Sequence, residues 1–130
     1  MLYRPLIGES REETTRQLAV WLQQELTKSD YAIGLFGIGS DGHTAGIKPD
    51  SIAVESSDWA AGYAGNDFER ITMTFAPIHQ LNEVVIQASG QDKQTILKEL
   101  QEKDIPLNIQ PAQILKTVPV ATIYSDNKIE

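Results

Sequence analysis

Residues 37–46 read "GIGSDGHTAG", which sets a carboxylate, Asp41, one residue away from an imidazole, His43, within a run of glycines. An imidazole titrates near neutral pH, and a neighbouring carboxylate can decide which ring nitrogen carries the proton, so the pair suits proton transfer to or from a substrate. Gly37, Gly39 and Gly42 leave room for a substrate to approach the backbone, and they also satisfy G-x-G-x-x-G, the dinucleotide-binding turn. That alternative needs the third glycine to open a helix and an acidic residue about 20 positions further on. Here Lys48-Pro49-Asp50 interrupts any helix soon after Gly42, and Asp58 is unremarkable in an acidic chain. Ser40 follows Gly39 directly and does not form the G-x-S-x-G elbow of serine hydrolases. The only two histidines, His43 and His79, lack the paired spacing of metal ligands. A plainer reading remains, in which Asp41 caps a turn and His43 lies on the surface. Against it stands the position of the loop, at the C-terminal end of an apolar strand, where α/β sheets bind ligands.

A second junction, "IQASGQDK", passes from strand to helix through Gly90 and carries Lys93 in the first helical turn. Free backbone N–H groups at a helix start together with an ammonium make an anion pocket conceivable. Spacing alone favours an ordinary surface lysine.

Around these two junctions the chain reads as alternating helices and strands. Ser10 and Glu13 have capping-box spacing, and Leu18, Ala19, Leu22 and Leu26 recur at helical intervals, which predicts a helix over about residues 10–28. "YAIGLFGIG" (Tyr31 to Gly39) is apolar without alternation, as expected of a strand buried on both faces. A short strand is expected at Trp59 to Tyr63. In the next one Ile71, Met73 and Phe75 alternate with Thr72 and Thr74 until Pro77 stops it, a short helical turn following. Val84 to Ala88 reads as a strand, Gln91 to about Lys103 as a helix with Ile96, Leu97 and Leu100 inward, and "TVPVATIYSD" as a strand that Pro119 assigns to a sheet edge.

With 130 residues, 41% of them hydrophobic, the chain has the size and composition of one folded domain, residues 1–130, with no repeat or linker. The net charge of -7, with its 11 basic residues scattered, argues against a nucleic-acid partner. The absence of cysteine excludes disulfides, thiolate metal sites and a cysteine nucleophile. Neither a signal-peptide core nor an apolar run of membrane-spanning length is present, so a soluble cytoplasmic protein without membrane partners is expected.

The residues in this order resemble the glucosamine-6-phosphate isomerase and 6-phosphogluconolactonase superfamily. Its G-x-G-x-D-G-H-T-A signature and following proline are matched by Gly37, Gly39, Asp41, Gly42, His43, Thr44, Ala45 and Pro49. "ERITMTFAPIHQLNEVVIQASGQDK" is similar to the lactonases' arginine-isoleucine-threonine strand, the turn after it and the strand-glycine-x-x-lysine junction. Thr44, in place of the isomerases' isoleucine, points to the lactonase branch. An acidic residue expected just past Ala45 in amino-sugar-phosphate isomerases is absent, Ile47 and Lys48 standing in that region.

The resemblance implies a doubly wound, mainly parallel α/β sheet with flanking helices, and cofactor- and metal-free hydrolysis of 6-phosphogluconolactone to 6-phosphogluconate in the pentose phosphate pathway. It implies His43 as the general base that activates water, with Asp41 orienting it. Lys93 then matches a phosphate-binding lysine and Arg70 a substrate arginine, while Gly37, Gly39, Gly42 and Thr44 would line the substrate, backbone groups around Gly39 and Gly42 holding the ring or the oxyanion. The match falls on the family's C-terminal half. No stretch before Ser10 resembles its S-G-G-S-T-P phosphate loop or D-E-R strand, and Lys48 stands where lactonases usually have phenylalanine. A partial sheet with open edges is then expected to self-associate or to join a complementing N-terminal half. The alternatives to an enzyme are a sugar-phosphate-binding or regulatory module without turnover, and one half of a split enzyme.

Overall fold

Ser10 starts the first helix, α1 (Arg11–Lys28), its side chain accepting a hydrogen bond from the Glu13 N–H at 3.1 Å in the computed structural model, which describes residues 2–127. The second half of a capping box does not form, because the Glu13 carboxylate turns outward to Arg16 and Gln17. Three parallel strands follow in the order β1 (Ile33–Gly37), β4 (Glu83–Gln87), β5 (Val120–Tyr124), with Gly37 level with Gln87 and Gln87 level with Tyr124. Between β1 and β4 lie a short helix α2 (Ile52–Glu55), an antiparallel hairpin of β2 (Ala60–Ala64) and β3 (Glu69–Met73), and a five-residue helix α3 (Phe75–His79). After β4, a 3₁₀ turn (Gln91–Lys93) leads into α4 (Gln94–Glu102), and a further 3₁₀ segment (Pro111–Thr117) leads into β5. The mainly parallel α/β class is therefore present, and β5, with Pro119 before it, is an edge strand as expected.

The core fills one face of the three-stranded sheet. Phe36, Val84 and Ile86 point into it and pack with Ile78, Leu97 and Leu115. Ile96, Leu97 and Leu100 are buried, and truncating one such side chain to alanine costs about 2–5 kcal/mol. The opposite face of the sheet is bare. Leu35 is 75% and Ile33 59% exposed, and Val120 and Tyr124 across the register are exposed as well. The expectation that β1 is buried on both faces is thus overturned, because α1 packs on the β2–β3 hairpin and on α3 rather than over β1.

The hairpin corrects a second expectation. Thr72 and Thr74 face inward and are buried, whereas Ile71 and Met73 are only partly covered. The threonine hydroxyls are satisfied there, Thr72 by Gly46 N–H and Met73 O, and Thr74 by donation to Asp58 O, which removes the usual penalty for burying them. Among the described residues no helix is long and apolar enough to cross a membrane.

Candidate active site

The loop that leaves β1 closes on itself before any helix begins, and this closure positions its side chains. Its ends are anchored by Ile38 and Ile47, both buried, and by Thr44, whose hydroxyl donates to Gly37 O at 2.8 Å. Inside that frame the Gly39 N–H donates to His43 O and the Gly42 N–H to Gly39 O, each at 2.9 Å. Gly42 has φ +91°, a conformation that favours glycine, and a Cβ there would come within 2.8 Å of Gln110 Cγ. Gly39 serves a different need: a Cβ at this position would overlap the His43 ring and stand 2.7 Å from Asp41 Oδ1.

Asp41 and His43 meet over the space that Gly39 leaves. Asp41 Oδ1 lies 2.5 Å from His43 Nδ1 and also accepts the His43 backbone N–H at 3.1 Å. The other oxygen, Oδ2, lies 2.5 Å from the ammonium of Lys48. Partial burial pushes the Asp41 carboxyl up, but the Lys48 ammonium and the two His43 contacts outweigh it and hold the group well below the usual carboxylate range. An ionised carboxylate only accepts hydrogen bonds, so Nδ1 carries a proton, and in the neutral ring Nε2 is the nitrogen with the free lone pair. The side chains of His43, Asp41 and Lys48 are 31%, 38% and 33% exposed, so the cluster is open to a ligand from solvent.

The remaining expected residues divide. Gly37 ends β1 and Gly39, Gly42 and Thr44 follow on its loop, where Thr44 is wholly buried and its engaged hydroxyl holds the loop. The N–H groups of Gly39 and Gly42 are themselves taken up within the loop. Those of Ser40 and Asp41 have no partner among the described residues. Lys93 lies on the turn after β4, and because Gly37 and Gln87 are in register, this turn leaves the same end of the sheet as the glycine loop. Among the described residues, the one carboxylate within ion-pair distance of its ammonium is Asp92, at 3.7 Å. Arg70, opposite Tyr63 on the hairpin, donates to Asp67 Oδ2 at 2.8 Å and lies 4.4 Å over the Phe68 ring. Neither Lys93 nor Arg70 bonds Asp41 or His43 among the described residues.

Two contributors were not foreseen from sequence. Lys48 was visible only as a deviation in the motif, because its contact with Asp41 depends on how the loop closes. Tyr63 ties the hairpin to that loop: its hydroxyl donates to Gly46 O at 2.5 Å and accepts the Lys48 N–H at 3.3 Å. Between the two segments runs a cleft of about 590 Å³, lined by Lys48, Asp50, Ser51, Tyr63 and Asp67 among others. Among the described residues no group of three or more His, Asp or Glu side chains converges as a metal site would require.

A 6-phosphogluconolactonase of Helicobacter pylori strain J99 is 26% identical over 131 residues, spanning 96% of this chain and 57% of its own length. The chain thus spans little more than half of the curated relative it matches. Among solved structures, the 6-phosphogluconolactonase of Plasmodium vivax superposes with a TM-score of 0.76 at 17% identity over 99% of this chain and 56% of that one. A monomeric glucosamine-6-phosphate deaminase superposes with a TM-score of 0.73 at 19% identity, over 92% of this chain and 54% of that one. At such identities the structural likeness speaks for the fold. A model of the family described as glucosamine-6-phosphate isomerases/6-phosphogluconolactonase matches residues 4–125, and with its motif residues gathered on one loop at the end of β1, the chain belongs to that family.

Proposed function

We propose that the chain hydrolyses 6-phosphoglucono-1,5-lactone to 6-phosphogluconate, with His43 as general base. The observation that carries this reading is the 2.5 Å contact between Asp41 Oδ1 and His43 Nδ1, which engages Nδ1 and makes Nε2 of the neutral ring the nitrogen available to take a proton, on a side chain 31% exposed at the end of a parallel sheet where ligands bind. Water bound at Nε2 gives up its proton to the ring as its oxygen attacks the lactone carbonyl. The tetrahedral oxyanion then collapses, the bond from the carbonyl carbon to the ring oxygen breaks, and the imidazolium returns the proton to that oxygen. Asp41 orients the ring and offsets its transient positive charge. The unpartnered N–H groups of Ser40 and Asp41, on the same loop, are assigned as donors to the oxyanion. Lys93, at the same end of the sheet, is assigned to the substrate phosphate, and Arg70 to the substrate from the hairpin side.

The bare sheet face favours a second element of this reading. A parallel sheet is normally covered on both faces, and here Leu35, Ile33, Val120 and Tyr124 are open to solvent. We therefore expect the active form to be completed by another copy or by a complementing N-terminal half. A sugar-phosphate-binding module without turnover is the competing reading, favoured by the closure of Gly39 and Gly42 within their own loop. Freshly generated lactone mixed with the pure chain separates the two. Hydrolysis faster than the spontaneous rate supports the enzyme, and a background rate with saturable binding of 6-phosphogluconate supports the module.

A further inference from the structure

Lys48 is held more firmly than an ordinary loop lysine. Its backbone N–H donates to the Tyr63 hydroxyl at 3.3 Å, its carbonyl accepts Ser51 N–H at 3.2 Å, and the residue before it, Ile47, is fully buried. From that fixed backbone the ammonium reaches Asp41 Oδ2 at 2.5 Å, while His43 holds Oδ1 of the same carboxylate at the same distance. The two partners occupy different oxygens, so neither displaces the other.

We infer that Lys48 is a positioning residue of this site: it anchors Asp41 by its second oxygen and offsets its charge, so that Asp41 orients the His43 ring without holding a proton on Nε2. The inference rests on the reading of His43 as general base. A carboxylate facing an imidazole alone stabilises the imidazolium and keeps the base occupied as pH falls, and an ammonium on the far oxygen weakens that effect. Other ionisable groups lie on the neighbouring elements: Tyr63 on β2, Asp50 and Asp67 along the cleft that Lys48 lines, and Asp92 and Lys93 on the turn after β4, at the same end of the sheet. Glu99 of α4 bonds Gln110, which packs against Gly42. Among the described residues none of these bonds Asp41 or His43, so Lys48 is the cation that acts on this carboxylate from outside the Asp41–His43 pair.

The test is the pH dependence of lactone hydrolysis by the full chain, its Lys48→Met variant and its Lys48→Arg variant, each checked for folding by its thermal melt. In Lys48→Met the acid limb of kcat/KM moves to higher pH by about one pH unit while KM on the plateau stays unchanged, and Lys48→Arg returns the limb towards its parent position. An unmoved limb in a folded Lys48→Met variant overturns the inference, as does a raised KM with the limb in place, since the ammonium would then hold substrate rather than Asp41. If Lys48→Met fails to fold, a limb moved to higher pH in a folded Lys48→Gln variant decides in its place. A parent chain with no hydrolysis above background lacks either turnover itself or the half that completes it. The role of Lys48 is then decided by nitrogen-15 NMR of the His43 ring. A titration that moves to higher pH in Lys48→Met supports it, and one that stays in place overturns it.

Discussion

Asp41 has one oxygen for His43 and one for Lys48, and the first of these contacts determines what the imidazole can do. Asp41→Asn keeps the shape but supplies an amide that donates as well as accepts, so the Nδ1–H tautomer is no longer enforced. Hydrolysis by this variant is expected to fall by about 10²-fold or more, read as a loss in kcat. The same substitution changes acid stability in a defined direction. Folding lowers the Asp41 carboxyl, so its stabilising contribution is in place above the unfolded-chain value of about 3.9 and disappears as pH falls through that value and below it. Solvent screens a side chain 38% exposed, so the loss is expected to stay within about 1 kcal/mol. Urea unfolding at pH 7 and pH 3 should show the parent losing more stability than Asp41→Asn; equal losses would contradict the lowered carboxyl. The Asp41–His43 pair was legible in the sequence because both residues sit within one short glycine-rich run. Lys48 was not, since its approach depends on two loop ends held together by Thr44 and Tyr63.

The loop between β1 and α2 functions as a unit because its glycines are fitted to particular neighbours. Gly39→Ala places a methyl group where the His43 ring lies and against the Asp41 carboxylate, so the pair must separate. The expected result is a fall in kcat approaching that of removing the base, about 10²-fold or more, with a thermal melt close to that of the parent. Unchanged activity would mean that the pair is not needed in this geometry. Among the regular elements, helical spacing and the Ser10 cap were legible for α1, as were the inward residues of α4, because both signals are local. The hairpin was legible in period but not in phase. Apolar residues were expected inside, yet Thr72 and Thr74 are buried because Gly46 and Asp58, from elsewhere in the chain, and the adjacent Met73 carbonyl supply their hydrogen-bond partners. The burial of β1 was misread for a related reason: an apolar strand announces that it needs cover, and does not say whether the cover is in the same stretch of chain.

That bare face governs how the molecule as assembled should behave. Leu35 and Ile33 on β1 continue across the register to Val85, Val120 and Tyr124 on one side of the sheet. Contiguous apolar surface of this kind favours association, and the chain spans 57% of the length of its Helicobacter relative. Light scattering at micromolar concentration is expected to show a species larger than a monomer, and Leu35→Lys to shift it towards monomer with little loss of folding stability. A monodisperse parent monomer with full activity would contradict the proposed completion of the site. The central claim, that His43 removes a proton from the attacking water, is tested most directly by the rate of 6-phosphogluconolactone hydrolysis by the chain and by its His43→Ala variant, each set against the spontaneous rate. Acceleration by the parent and a loss of about 10²–10⁴-fold in the variant are expected. Equal acceleration by both would contradict it.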